Sequence, residues 1–178
     1  MKSEQHRRGR PDIGLGHYLR DTVNGALDGV ITTLAVISGA SGAQLEPRIG
    51  LILGLANLVA DGLSMGASNY LGLKSELLQT RKSKSLEIPW RHGLATGLAF
   101  ALFGVVPLLA YAAPHDDGVV PFPHAVGLAV MALALLGKLR ARYIGKSSLR
   151  SVAEVIAIGL SASGAAYAIG AVAEAITR

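Results

Sequence analysis

Apolar residues run through this chain in long stretches, not in the alternating or one-sided patterns of a soluble fold. A helix needs about 20 largely apolar residues to cross a bilayer. Five stretches have that length, at about 22–41, 49–73, 92–112, 119–137 and 152–176. The fourth is the weakest, because Pro121, Pro123 and His124 open it. Core helices of a soluble protein are the alternative, but so short a chain leaves almost no polar face to cover five of them. The pattern predicts an all-α integral membrane protein. Residues 1–20 form an N-terminal segment, 21–178 one five-helix transmembrane domain, and 74–91 a short polar connector within it. No internal repeat or low-complexity segment stands out.

Composition agrees. Of 178 residues, 51% are hydrophobic and only 16% charged, and the mean hydropathy is +0.42. Cysteine is absent, which excludes disulfides and thiolate metal sites. A net charge of +5 would suggest nucleic acid if the basic residues shared one face. They are sorted by segment instead. Lys2, Arg7, Arg8, Arg10 and Arg20 precede the first span, and Lys74, Arg81, Lys82, Lys84 and Arg91 separate the second from the third. Lys138, Arg140, Arg142, Lys146 and Arg150 separate the fourth from the fifth, leaving only Arg48 and Arg178 in the alternate segments. By the positive-inside rule the N-terminus is cytoplasmic and the C-terminus outside. The basic residues then meet anionic lipid headgroups, and no nucleic-acid partner is expected. A cleaved signal peptide beginning at "RRGR" is opposed by Asp28 inside its apolar core. A short chain without a cleavable presequence points to a bacterial inner membrane.

Polar residues inside the spans change the picture. A carboxylate at bilayer depth costs at least about 2.5–3.5 kcal/mol, so it needs a partner or a purpose. In the first span Asn24, Asp28 and Thr32 recur every four residues and share one helical face. Along the second, Asn57, Asp61, Ser64 with Met65, and Ser68 with Asn69 form another polar stripe. The two helices are antiparallel across a short loop. Asp28 lies eight residues after Arg20 and Met65 nine before Lys74, which puts both about 12–14 Å above the basic boundary. Asp61 is about one turn deeper, while Asn24 and Asn69 lie nearer the cytoplasm. A carboxylate neutralises a dication and a thioether favours transition metals. One subunit has too few such ligands for a full shell, so a twofold axis beside Asp28 is expected to double them.

Each of these residues has a plainer reading. Methionine on an apolar helix is more often packing than ligand, and Asp61 can serve as a structural acceptor. Asparagine and serine often join membrane helices for about 0.6–2 kcal/mol. The pairs Gly25/Gly29, Gly50/Gly54, Gly62/Gly66 and Gly93/Gly97 have the spacing that lets backbones approach. His92, His115 and His124 stand at span ends or in loops, as surface histidines do, and Glu154 can snorkel or pair with Arg150. The pattern by itself supports a membrane protein with a buried carboxylate pathway for cations.

The stretches "RDTVNGALDGVITTLAVISGASGA" and "LILGLANLVADGLSMGASNYLGLKSE" closely resemble the first two helices of the vacuolar iron transporter family, which includes nodulin-like members. "GLATGLAFALFGVVPLLAY" and "LRSVAEVIAIGLSASGAAYAIG" resemble its third and fifth helices less specifically. The resemblance implies a homodimer of five-helix subunits that moves Fe²⁺, and often Mn²⁺, out of the cytoplasm in exchange for protons. It implies a pathway between the first helices, with Asp28 as the intramembrane aspartate and Met65 as the metal-contacting methionine. Asp61 lies in the shared "ADG" motif, as metal ligand or fold support. Many members carry a Glu-rich cytoplasmic domain after the second helix. This chain passes from "YLGLKSE" to "IPWRHG" through about a dozen residues, so that domain is absent.

The resulting expectation is a secondary active exporter with Asp28, Met65 and Asp61 as metal residues. Asn24, Thr32, Asn57, Ser64 and Asn69 would line the pathway. No cofactor is expected, and Fe²⁺ or Mn²⁺ and protons are the substrates. A structural or sensing membrane protein and a passive divalent-cation channel are the alternatives. An enzyme is not expected, since no nucleophile–base pair or open histidine metal site stands at catalytic spacing.

Overall fold

The computed structural model describes residues 13–79, 88–112, 121–145 and 147–178. Five helices follow one another: α1 (Ile13–Gly42), α2 (Pro47–Gln79), α3 (Pro89–Ala112), α4 (Pro121–Ile144) and α5 (Ser148–Thr177). All five are long and apolar enough to cross a membrane, in α1 from Tyr18 to Gly42. No strand occurs among the described residues. Pro47, Pro89 and Pro121 each open a helix, the position where a missing backbone N–H costs nothing. Helices overrun the apolar spans because main-chain hydrogen bonding does not stop where the oil does. Thus α4 continues past Gly137 through Lys138, Arg140 and Arg142 to Ile144. Lys2, Arg7, Arg8, Arg10, Arg81, Lys82, Lys84, His115, Val119 and Lys146, on which the charge and span expectations partly rest, lie outside the described residues.

The turn between α1 and α2 is a Schellman-type cap. Leu45 N–H donates to Ala40 O at 3.0 Å and Gln44 N–H to Ser41 O at 3.1 Å, with Gln44 in the left-handed region at φ 55°. Such a turn forces α1 and α2 antiparallel.

The central element is α1, in contact with all four other helices. Val23, Ala26, Val30, Leu34 and Ile37 bury one side of it, with Phe100, Leu108, Leu133, Leu136 and Val155 from the others. By contrast, α2 contacts α1 and α3 and leaves Ile52, Val59, Leu63 and Leu71 exposed. The outward faces of α3, α4 and α5 carry Leu98, Leu102, Met131, Leu135, Ile158, Ile169 and Val172. Such a surface suits hydrocarbon.

Glycines set the helix spacing. A Cβ at Gly66 would lie 2.9 Å from Gly93 O, and one at Gly97 2.7 Å from Gly62 O. The α2–α3 crossing is therefore backbone on backbone, as the Gly62/Gly66 and Gly93/Gly97 spacings suggest. On α1, Gly25 and Gly29 meet the Thr96 and Phe100 carbonyls of α3. Further along, Gly42 meets Tyr167 O of α5, and Gly170 of α5 meets Gly39 O. A polar link reinforces that contact: Ser38 Oγ donates to Leu34 O at 2.6 Å, leaving Ser163 Oγ to donate to Ser38 Oγ, also at 2.6 Å.

Candidate functional site

The polar stripe of α1 is the strip where this central helix reaches the subunit surface. Asn24 is exposed and Asp28 and Thr32 are half-buried, while Ala26, Gly29, Val30 and Thr33 on other faces are buried. On α2, Ser64 is exposed, and Asn57, Asp61, Met65 and Asn69 are half-buried. The stripes meet along an α1–α2 seam, where the Asp28 and Asp61 carboxylates are close enough for their charges to interact. Met65 lies one turn beyond Asp61 and packs against the apolar core. The seam thus carries both carboxylates, with the thioether of Met65 one turn from Asp61 along α2. Two hard donors and one soft donor can contribute to holding a divalent transition metal. Among the described residues no cluster of three or more His, Cys, Asp or Glu side chains could hold a metal ion.

The other expected pathway residues are partly engaged. Thr32 Oγ1 donates to Asp28 O at 2.8 Å, within its own helix. Asn69 Nδ2 donates to Thr96 Oγ1 at 2.5 Å and more weakly to His92 O at 3.5 Å, so it joins α2 to α3. Asn57 Nδ2 is buried with no partner, as is Thr33 Oγ1 on α1.

Two residues were missed or misplaced by sequence reasoning. His92 is not a surface histidine: it is 0% exposed. Its Nδ1–H donates to Oδ2 of Asp21 at 2.8 Å, and Asp21 is itself 8% exposed. Tyr18 covers the imidazole, with ring centroids 3.8 Å apart. The available signal was the series His92, Thr96, Ala99 and Phe100, whose helical spacing marks the buried face of α3. Beside this pair, a cavity of about 430 Å³ is lined by Arg20, Asp21, Ser68, Asn69, Glu76 and His92 among others. Glu154 accepts from Arg140 Nη1 at 3.0 Å, a partner on α4 that helix-local spacing did not suggest. At the opposite end, Arg178 Nη2 donates to Gln44 Oε1 at 3.4 Å, so one of the two basic residues outside the basic segments sits at the α1–α2 turn.

The VIT family model matches residues 19–88 and 78–171. Vacuolar iron transporter homolog 4 of Arabidopsis thaliana is 33% identical over 141 residues, covering 73% of this chain and 70% of that protein. Vacuolar iron transporter 1 of the same plant is 25% identical over 221 aligned positions, covering 89% and 87%. The vacuolar iron transporter of Plasmodium falciparum (isolate 3D7) is 37% identical over 73 residues, 39% of this chain and 27% of that protein. The alignment to vacuolar iron transporter 1 is longer than this whole chain, so that relative has residues with no counterpart here. The two segments of the family match overlap at residues 78–88, in the stretch that joins α2 to α3.

Proposed function

The chain belongs to the VIT family, and from that premise we propose that it is a membrane transporter moving Fe²⁺ or Mn²⁺ out of the cytoplasm in exchange for protons. Its relatives are named as iron transporters, which supports a divalent metal ion as substrate. They are named for the vacuole of eukaryotes and lend no support to a bacterial inner membrane. Export from the cytoplasm fits either setting. The sorting of basic residues supports a cytoplasmic N-terminus.

One observation carries the reading: two half-buried carboxylates lie on a seam of a subunit whose described outward helix faces are mainly apolar. Carboxylates facing lipid are costly, and a second copy seated on the seam would cover them. A twofold axis there would bring Asp28 and Met65 from both subunits around one dication. The ion neutralises the carboxylates and the thioether adds a soft donor. When the metal leaves, protons take its place on the same oxygens. Competition of the two for one site is the physical basis for exchange.

The test is metal flux into proteoliposomes under an imposed pH gradient, with cross-linking across the seam as a measure of pairing. Flux indifferent to the gradient, or undiminished in Asp28→Asn, would contradict the exchange scheme. A protein that moves metal only down its own gradient would be a channel.

A further inference from the structure

Asp21 and His92 form a second polar centre that the metal site does not use. The Nδ1 proton of His92 is committed to Asp21, since a carboxylate only accepts. Its Nε2 is buried and has no partner, although an unpaired buried nitrogen is unfavourable and an apolar side chain would avoid it. Tyr18 closes over the ring. The same turn of α3 is tied to α2, because the His92 carbonyl accepts from Asn69 Nδ2 and from Thr96 Oγ1. Asp21 precedes Asp28 by seven residues, two turns or about 10 Å along nearly the same face. The pair thus lies two turns of α1 from Asp28 and itself lines the cavity that Arg20 and Glu76 also line.

We propose that His92, oriented by Asp21, accepts the counter-transported proton on its way from Asp28 to the cytoplasm. This rests on the proton-exchange reading. In the step, water relays one proton from the Asp28 carboxyl, which is left as the carboxylate, to Nε2, while the Nδ1 proton stays on Nδ1, hydrogen-bonded to Asp21. The pair becomes an imidazolium–carboxylate with no net charge. Nε2 then gives that proton to cavity water, and the imidazole returns to its neutral form. Nε2 is fully buried here, so transfer belongs to a state in which water reaches it. The titratable and charged groups placed against the ring or its cavity are Tyr18, Arg20 and Asp21 of α1 and Glu76 of α2, with Arg91 next to His92 in the chain. No α4 residue lines the cavity.

His92→Asn retains an amide N–H for Asp21 and removes the titrating nitrogen. In proteoliposomes loaded with Mn²⁺, the substitution is expected to flatten the pH profile of flux and lower proton-driven flux about tenfold or more. A His92→Asn protein with the wild-type pH profile overturns the proposal. Wild-type flux that ignores the proton gradient overturns the exchange reading itself, so the two failures are distinct. Where His92→Asn does not fold, ¹⁵N-histidine NMR reads the ring directly, in a protein whose other four of five histidines are asparagine. Nε2 protonation that responds to pH and to saturating Zn²⁺, a diamagnetic stand-in for the transported metal, supports the proposal, and an invariant signal overturns it.

Discussion

His92 Nδ1 and Asp21 Oδ2, 71 residues apart in the chain, meet at 2.8 Å in a buried contact between α1 and α3. Removing one member leaves the other enclosed without its partner, the costly case for buried polar pairs. Asp21→Ala is therefore expected to lose about 2–4 kcal/mol of stability, visible as a lower unfolding temperature in detergent. An unchanged midpoint would mean that the pair contributes nothing to the fold.

Transport should depend on the seam in two ways. Asp28→Asn removes the ionisable oxygen and is expected to abolish proton-coupled flux. Met65→Ala removes a soft donor but no charge, so metal affinity should weaken by about tenfold, equivalent to about 1.4 kcal/mol, with less effect for Mg²⁺ than for Fe²⁺. Equilibrium binding across a metal series checks this. Equal loss for all metals would assign Met65 to packing alone.

Exchange fixes the direction of a pH effect. Protons on the cytoplasmic side compete with metal for the empty carboxylates, so acidifying that side should slow export. Acidifying the opposite side should speed it by displacing bound metal. Stopped-flow flux at matched metal concentrations, varying one compartment at a time, separates the two arms.

Close helix contact predicts a contrast between glycines. Gly66→Ala places a Cβ 2.9 Å from Gly93 O, and the overpacking should cost about 1–3 kcal/mol. Gly164→Ala on α5 meets nothing within 4 Å and should be neutral or stabilising by up to about 1 kcal/mol, from helix propensity. Paired thermal melts decide.

Ser163→Ala removes the hydroxyl that bridges α5 to Ser38. Interhelical hydrogen bonds of this kind average about 0.6 kcal/mol, so a small loss of stability is expected, with no change in flux.

Much of the architecture was legible in the sequence because hydropathy acts over a whole span and needs no knowledge of neighbours. Counting residues from the basic boundary, at constant helical rise, set Asp28 level with Met65 and Asp61 a turn deeper; it is the Asp28 and Asp61 charges that interact in the fold. The Gly62/Gly66 and Gly93/Gly97 spacings announced backbone contact, though not with whom. His92 was misread because it stands at the edge of an apolar stretch beside basic residues, and the carboxylate that buries it belongs to another helix. Asn69 was read toward the pathway, yet its amide is bonded to α3. Spacing gives the face of a helix but not what that face meets.

Glycine contacts are unevenly placed around α1. Its first half lies backbone to backbone on α3 and its last turns likewise on α5, while α2 is fastened to α3. Along the carboxylate-bearing half of α2, no glycine touches α1. Those junctions are riveted and this one is merely pressed together. A fissure opening there would part side chains while those main-chain welds held, along the line of the two intramembrane acids.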